Sequence, residues 1–510
     1  MAQLPHFVFS PSTLISAIGL MRGPDTTPAT PARDWRSVTV DVVIPARNEQ
    51  DNIVRCLASV LRQTRQPRTI VVVDDGSTDA TAARARAFAE FHGCANVRVV
   101  RRFTSIGKTP TIKEQARTLD SDVLFVLDAD TLLESDTYIA RVVEELYQGV
   151  GIATACGSIL PLRERDRRAA DEWPAVRWFA DAHPSHEPVR QKRWWRRLAS
   201  GITNTYREVL YLFLQRVVFH GHMAMFGTVS NPAGCAVAYR RAYLGTLFDT
   251  VEPQLGDDLT NSEDVFIGLG MLNEGYRNIQ VLDVLARTVE PEVQRLPKQL
   301  YLWSSAFLQS AFYFDALLKS PFKVIKRYGR SRGAGGSGRR FEPVAVRSSV
   351  AYAGAAPAPV SGLFSTMTNL TIGTPRIWTS AGAAAGFAGR ERRRAQEPYR
   401  QAFGGEHTRI YGRPAGWVLL ASSVEKIAFP TVMLLILVFR NWEGLLITVG
   451  AETLLAVVAL MLVMKGRRLE FFVKGIAVTP VRYALLTFEL LTIGRFASDL
   501  WLTGNRRWRK

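Results

Sequence analysis

The sequence predicts an α/β chain: a Rossmann-like, mainly parallel mixed sheet followed by a C-terminal α-helical membrane region. Three observations carry that expectation. Short β-branched runs alternate with helical stretches between Val38 and Leu160, a rhythm whose crossover connections make neighbouring strands parallel. Two of those runs end in paired carboxylates, and long apolar segments gather after residue 415.

In chain order, residues 1–36 hold a modest apolar stretch, Phe7 to Met21, and then Pro/Thr-rich sequence. The stretch is too short to span a bilayer and lacks a basic leader and a small-residue cleavage site, so a packed arm or membrane-surface helix is expected rather than a signal peptide. Val38–Pro45 reads as a strand ended by proline, with a helix from Ala46 to about Gln63. Thr69–Val73 is the second strand and runs into Asp74-Asp75-Gly76-Ser77, followed by an Ala/Arg-rich helix. Val97–Val100 leads through Gly107-Lys108 to another helix. Val123–Leu127, apolar throughout, ends at Asp128 and Asp130. A helix over Tyr138–Gln148 and a strand over Gly151–Leu160 follow.

In open α/β sheets ligands bind at the carboxyl ends of strands. Asp128 and Asp130 stand at such an end and repel each other unless a cation sits between them, and hard oxygen ligands suit Mg²⁺ or Mn²⁺ carrying nucleotide phosphates. An acidic turn after a strand fits the same three residues. Asp75 can accept hydrogen bonds from a uracil imide or ribose hydroxyls, or can belong to a plain Asp-Gly turn.

Over 510 residues the net charge is +18, which calls for an anionic partner. No zinc-finger spacing or RNA-recognition signature is present, so no nucleic-acid partner is expected and membrane lipids are the expected anionic surface. The four cysteines lie far apart with no C-x-x-C, which indicates neither a zinc site nor a disulfide framework and fits a reducing, cytosolic setting. Arg163 to Arg197 mixes arginine with Trp173, Trp178, Trp194 and Trp195, a pattern for a membrane interface. Stacking on sugar rings and a solvated insertion are the alternatives.

Pro45-Ala46-Arg47-Asn48-Glu49, Val71 to Asp79 and Leu127 to Thr131, in that order and at those separations, resemble the nucleotide-binding half of inverting glycosyltransferases of family 2. The resemblance implies a GT-A fold, a UDP-sugar donor and a divalent metal, Mg²⁺ or Mn²⁺. It puts Asp75 near the uracil, Asp128 near the ribose and diphosphate, Asp130 on the metal, and Pro45, Glu49 and Lys108 along the donor site. Where the family reads G-K-x-x-A-L-N, this chain reads Gly107-Lys108-Thr109-Pro110-Thr111-Ile112-Lys113.

Asn231 to Arg241 resembles the G-x-x-x-x-Y-R-R segment of membrane polysaccharide synthases, which implies that Gly234 and Cys235 line the acceptor side. Inverting transfer needs a base for the acceptor hydroxyl. Asp258 and Asp264 compete for that role. In the family the catalytic aspartate stands eleven residues before a Gly-Tyr pair, as Asp264 does before Gly275-Tyr276. Asp264 is therefore the expected base, Glu263 its acceptor-side neighbour, and Asp258 a loop or capping residue. Gln299-Leu300-Tyr301-Leu302-Trp303 lines up with Q-x-x-R-W of processive synthases, which implies acceptor contacts for Gln299 and Trp303. Leu302 replaces the arginine that reaches the diphosphate. Arg295 or Lys298 substitutes for it, the diphosphate is neutralised differently, or the chain is not processive.

Residues 304–318 read as a membrane-surface or pore-side helix, and Lys319 to Gly389 as a basic, then low-complexity linker. Trp417–Phe439 and Leu445–Met464 are long enough to span, whereas Phe471–Trp501 carries too many charges for a lipid-exposed helix. The basic clusters Lys465 to Arg468 and Arg506 to Lys510 are both expected on the cytoplasmic side, which two spans satisfy if the third segment re-enters or lies along the inner face. The expected division is an arm at 1–36, a GT-A domain at 37–303, a helix and linker at 304–414, and membrane helices at 415–510. The expected protein is a multi-pass cell-membrane glycosyltransferase, its catalytic domain cytoplasmic, acting on a carbohydrate or lipid-linked acceptor. A polysaccharide synthase is the expected function; transfer of one sugar to a lipid or polyprenyl phosphate is the alternative, and a non-catalytic membrane sugar-nucleotide sensor the alternative of another class.

Overall fold

The computed structural model describes residues 11–22, 33–148, 151–184, 194–255, 262–274, 276–322, 414–464 and 466–503. Helix α1 (Pro11–Arg22) precedes the sheet, and strand β1 (Val40–Ala46) enters it. Helix α2 (Ile53–Leu61), β2 (Thr69–Asp74), α3 (Thr81–Phe91), β3 (Val97–Arg101), α4 (Lys108–Thr118) and β4 (Val123–Leu127) follow. These strands lie in the order β3-β2-β1-β4, all parallel, as the strand-helix rhythm requires.

The sheet then changes sense. After β5 (Thr131–Leu133), α5 (Tyr138–Leu146) and β6 (Ile152–Pro161), the chain runs through α6 (Glu164–Asp171), α7 (Pro174–Ala182), α8 (Trp194–Phe213) and α9 (His220–Phe226) to β7 (Ala236–Arg240). Strand β7 pairs antiparallel with β4. Helices α10 (Arg241–Leu255) and α11 (Glu263–Glu274) precede β8 (Arg277–Thr288), which completes the eight-stranded order β3-β2-β1-β4-β7-β6-β8-β5. Mixed and mainly parallel, the sheet is of the GT-A type that the sequence led us to expect. Its core is built from Val42, Val43 and Ile44 of β1, Val72 and Val73 of β2, and Leu124 to Leu127 of β4, all fully buried. Continuous apolar strands covered on both faces are what a parallel sheet demands.

One helix starts later than the sequence pattern indicates. Residues 47–51 form a loop and α2 begins at Ile53, not Ala46. The loop's amides are bonded to the neighbouring turn: Asn48 N–H donates to Ser77 Oγ, Glu49 N–H to Thr81 Oγ1 and Gln50 N–H to Asp79 Oδ2. Asn48 takes a left-handed φ of 57° to make this possible. Tertiary partners thus outcompete the first helical turn.

Helices α8 and α9 are joined by a π-helical segment, Leu214–Phe219. From it the buried Gln215 side chain both accepts from Ile159 N–H and donates to Ile159 O, docking the long helix on β6. Helix α1 lies against α9, where Gly19 and Gly221 let the two backbones touch: a Cβ on Gly19 would stand 2.1 Å from Gly221 O. Helix α12 (Leu296–Tyr313) runs unbroken through residue 303 and packs on α11 and on the C-terminal helix.

Among the described residues, three helices are long and apolar enough to cross a membrane: Arg197–Phe226, Gly416–Val438 and Trp442–Val463. The first differs from the others in that 78% of its apolar window is buried within the protein. The segment expected over Phe471–Trp501 is two helices, Arg468–Ala477 and Thr479–Trp501, bent by 41° at their junction. Its charges have protein partners, as apolar surroundings require: Arg482 pairs with Glu452 at 2.9 Å, and Lys426 with Glu489 at 3.5 Å. The linker expected over Lys319 to Gly389 lies almost wholly outside the described residues.

Candidate active site

The site is built on the carboxyl end of β4. Asp128 leaves the strand with its N–H donating to Cys235 O, which ties the β4 end to the segment entering β7. Lys108, the first residue of α4, reaches across to this point. Its ammonium lies 2.6 Å from Asp128 Oδ1 and 2.5 Å from Glu263 Oε1, and donates to Gly234 O at 3.1 Å. Burial opposes the charge on Lys108, but Asp128 and Glu263 overcome it and hold its pKa well above the usual value. One cation therefore bridges the expected donor-side acid and the expected acceptor-side acid.

Asp264 follows Glu263 at the start of α11, where carboxylates are favoured by the helix dipole. Gly234 packs directly on it: a Cβ at 234 would stand 2.7 Å from Asp264 Cβ. Helix α11 is held there by Asn278, whose Nδ2 donates to Gly268 O at 3.0 Å and lies near Val229 O and Ser230 O. Asn278 is fully buried and went unnoticed in the sequence because nothing marks β8 as the neighbour of α11. Asp258 and Gly275 lie outside the described residues, so the register comparison between Asp258 and Asp264 has a geometry only on the Asp264 side.

Asp130 sits one residue beyond Ala129, its Oδ1 accepting from Thr131 Oγ1 at 3.2 Å and Thr288 Oγ1 at 3.4 Å. Burial, then the charges of Asp128 and Glu49, push its carboxyl up to about 8. Acids so placed call for a cation. Among the described residues, no set of three or more His, Cys, Asp or Glu side chains is grouped as a complete metal site. Asp128 and Asp130 are hard oxygen donors of the kind that fit a divalent ion such as Mg²⁺.

Asp75 is engaged by the protein's own donors. It is 5% exposed and accepts from Ser105 Oγ at 2.6 Å, Gly107 N–H at 2.8 Å, Ile106 N–H at 3.0 Å and Arg102 Nη1 at 3.2 Å. Burial would raise its pKa, and these four donors outweigh burial and lower it. Four bonds engage about all the lone pairs a carboxylate has. Asp75 thus holds the turn that presents Lys108. Pro45 and Glu49 frame the same end of the sheet, Pro45 inside β1 and Glu49 in the loop beyond it.

Gln299 and Trp303 lie on α12. Neither candidate for the missing arginine is near in character: Arg295 and Lys298 are both exposed. Instead Arg207 of α8, fully buried, stacks its guanidinium 4.5 Å from the Trp303 ring and donates from Nη2 to Gln299 Oε1. Sequence reasoning missed Arg207 because it stands some ninety positions earlier, in the insertion between β6 and β7. In that insertion, Trp173 stacks under Arg62 at 4.1 Å, while Trp178 is 62% exposed.

Strand-end acids, a bridging lysine and an acid-headed helix thus meet at one edge of a mixed sheet, with apolar helices packed alongside. Residues 41–231 match the family model described as glycosyl transferase family 2, and this part of the chain is a domain of that family. The chain is similar to an N-acetylglucosaminyltransferase of Azorhizobium caulinodans, 28% identical over 281 residues, 52% of this chain and 57% of the relative. It is also similar to an undecaprenyl-phosphate 4-deoxy-4-formamido-L-arabinose transferase of Pseudomonas paraeruginosa, 35% identical over 139 residues, 26% of this chain and 38% of that one. The chain thus spans about half the length of the curated relatives it matches first. Among solved structures, a mannosyltransferase from Pyrobaculum calidifontis in complex with GDP-Man and Mn²⁺ aligns over 96% of this chain and 94% of its own, at 15% identity and TM-score 0.44.

Proposed function

We propose that the protein is a membrane-bound, inverting glycosyltransferase that moves a sugar from a UDP-sugar to a saccharide or lipid-linked acceptor, with Asp264 as the base. The observation that carries this reading is the Lys108 bridge, which brings Asp128, Glu263, Gly234 and, next to them, Asp264 into one cluster at the β4 end. Asp128 and Asp130 would hold Mg²⁺ or Mn²⁺, which when bound neutralises the departing diphosphate. Lys108 orients Asp128 and adds positive charge beside that leaving group. Asp264, rigidly seated against Gly234, accepts the proton of the attacking hydroxyl. A single displacement inverts the anomeric centre. Asp75 serves the donor by fixing Gly107 and Lys108, and a direct uracil contact would exchange one of its four bonds.

The apolar helices support an acceptor at a membrane, and the basic cluster Lys465 to Arg468 supports a cytoplasmic side for the domain. Relatives named N-acetylglucosaminyltransferases put that sugar first in a donor panel. Membranes containing the protein should be offered radiolabelled UDP-sugars with Mg²⁺ or Mn²⁺ and the products resolved by size. Incorporation from one UDP-sugar, lost on Asp264→Asn while donor binding persists, is the expected result. Donor binding with no UDP release from the unaltered protein would instead mark a sensor and reject the reading.

A further inference from the structure

A second concavity lies at the opposite end of the strands from the donor-site acids. An open cleft of about 600 Å³ is cut into the surface where the 3-10 turn Trp35–Ser37 leads into β1, and the turn entering β2 and helix α5 supply its other walls. Its lining carries three guanidinium groups, those of Arg36, Arg65 and Arg68, and among the described residues no acid. Arg68 N–H donates to Val40 O, which fixes the cleft at the amino end of β1. The seven residues of β1 then separate it by roughly 20 Å from the carboxyl ends that carry Asp75 and Asp128. The cleft is therefore no part of the donor site.

One of the three charges is balanced and two are not. Arg68 bonds both oxygens of the buried Asp41, at 3.0 and 2.6 Å, and pairs with Asp120 at 2.5 Å. Arg65 is half-buried, yet its guanidinium meets main-chain oxygens: Nη1 donates to Trp35 O at 2.9 Å and Nη2 to Val38 O at 2.5 Å. Burial lowers its pKa, with Tyr147 and Asp34 opposing. Arg36 has Asp34 at 3.9 Å, but these side chains are 73% and 62% exposed, and so open a pair contributes little. Both uncompensated guanidinium groups face the same indole, Arg36 at 4.7 Å and Arg65 at 5.3 Å from the Trp35 ring centre. Two like charges gathered on one ring repel each other unless an anion sits between them. A brace between two turns would account for the carbonyl bonds of Arg65 but not for the second arginine.

We propose that this cleft is a second anion site and that it takes the phosphate group of a small phosphomonoester. A guanidinium presents its N–H groups as a planar fork that matches phosphate oxygens. Arg65 spends two of its five N–H groups on carbonyls, which pin the fork and leave three, and the exposed Arg36 closes from the solvent side over the same ring. Thr64, exposed in the wall, adds a hydroxyl. Two positive charges match the nearly two negative charges of a phosphomonoester, whereas a carboxylate carries one and a neutral sugar none. A space of about 600 Å³ suits a ligand of sugar-phosphate or nucleotide size. A soluble phosphate ester and a phosphomonoester lipid headgroup share this chemistry. The site stands apart from the transferase reading and does not rest on it.

The test uses the full chain in phosphatidylcholine nanodiscs, titrated calorimetrically with inorganic phosphate and with glycerol 3-phosphate at constant ionic strength and without divalent metal. Saturable binding is expected, and Arg36→Gln should weaken it roughly tenfold or more, the loss of a charge-assisted contact. Because Arg36 is exposed, that variant should melt within about 2 °C of the unaltered protein, so a lost titration cannot be put down to unfolding. Arg65→Lys keeps the charge, loses the fork and should weaken binding as well. Lys108→Met, at the donor site, should leave it in place. Nanodiscs containing phosphatidic acid separate the two sources: a lipid headgroup in the cleft blocks the phosphate titration until Arg36 is replaced, whereas a soluble ligand titrates equally in both membranes. No saturable phosphate binding in phosphatidylcholine overturns the proposal. So does binding that both arginine variants leave unchanged, or that only Lys108→Met removes.

Discussion

Replacing Lys108 with methionine tests the electrostatic centre of the site. At about 2.6 Å two unit charges attract by roughly 6 kcal/mol in an effective dielectric of about 20. Lys108 makes two such contacts, 2.6 Å to Asp128 and 2.5 Å to Glu263. Most of that attraction offsets the desolvation of three charged groups, and what an experiment reads is the cost of stranding the acids. Stranding one member of a buried pair costs about 3–5 kcal/mol. Because the Asp128 side chain keeps 30% exposure, the low end applies, about 3 kcal/mol. For a domain of this size that corresponds to a melting shift of roughly 6–12 °C. The informative measurement is the cycle with Glu263→Gln. Removing one stranded charge from the Lys108→Met protein should restore about 1 kcal/mol or more, well outside the ~0.3–0.5 kcal/mol scatter of independent sites. Additive losses within that scatter, read by thermal unfolding in detergent, would refute the bridge.

Three further outcomes follow from the geometry. Gly234→Ala sets a methyl 2.7 Å from Asp264 Cβ, so transfer should fall far more than UDP-sugar affinity, at a stability cost of about 1–3 kcal/mol; equal loss of both would mean Asp264 does not sit at the acceptor. Asp75 has a lowered folded pKa, so its stabilisation is present above the unfolded value and lost as pH falls through the folded one; Asp75→Asn should flatten acid unfolding below about pH 4 and leave neutral stability lower. Burial pushes the Cys156 thiol up to about 12 and raises Cys56 and Cys235 well above the usual range, with nearby acids adding to the latter two. Brief alkylation of the native protein at pH 8, read by mass spectrometry, should therefore label the partly exposed Cys94 ahead of these three.

The parallel half of the sheet was legible because β1, β2 and β4 are largely apolar runs that can be buried only between two layers, and the acids ending β2 and β4 mark the ligand-binding edge. The start of α2 was not, since Asn48, Glu49 and Gln50 are bonded to Ser77, Thr81 and Asp79, an arrangement set by the next strand-helix unit. Asp75 was found as a residue, but its partners were not, because Ser105 to Gly107 reach it from across the β2–β3 edge. The two acids facing Lys108, Asp128 and Glu263, were not legible as its partners, because they come from β4 and α11 rather than from its own Gly107-Lys108 segment. Arg207 was invisible for a related reason. A motif read along one helix cannot register a side chain supplied by another.

Helix α12 carries Gln299 and Trp303 in its first half, and directly after Trp303 places Ser304 against the C-terminal helix, where Ser304 Oγ donates to Glu489 at 2.7 Å and Lys426 reaches the same hydroxyl at 3.1 Å. An unbroken rod transmits displacement along its whole length. Helix α12 therefore joins the Gln299/Trp303 end of the site to the buried Lys426–Glu489 pair through one unbroken element.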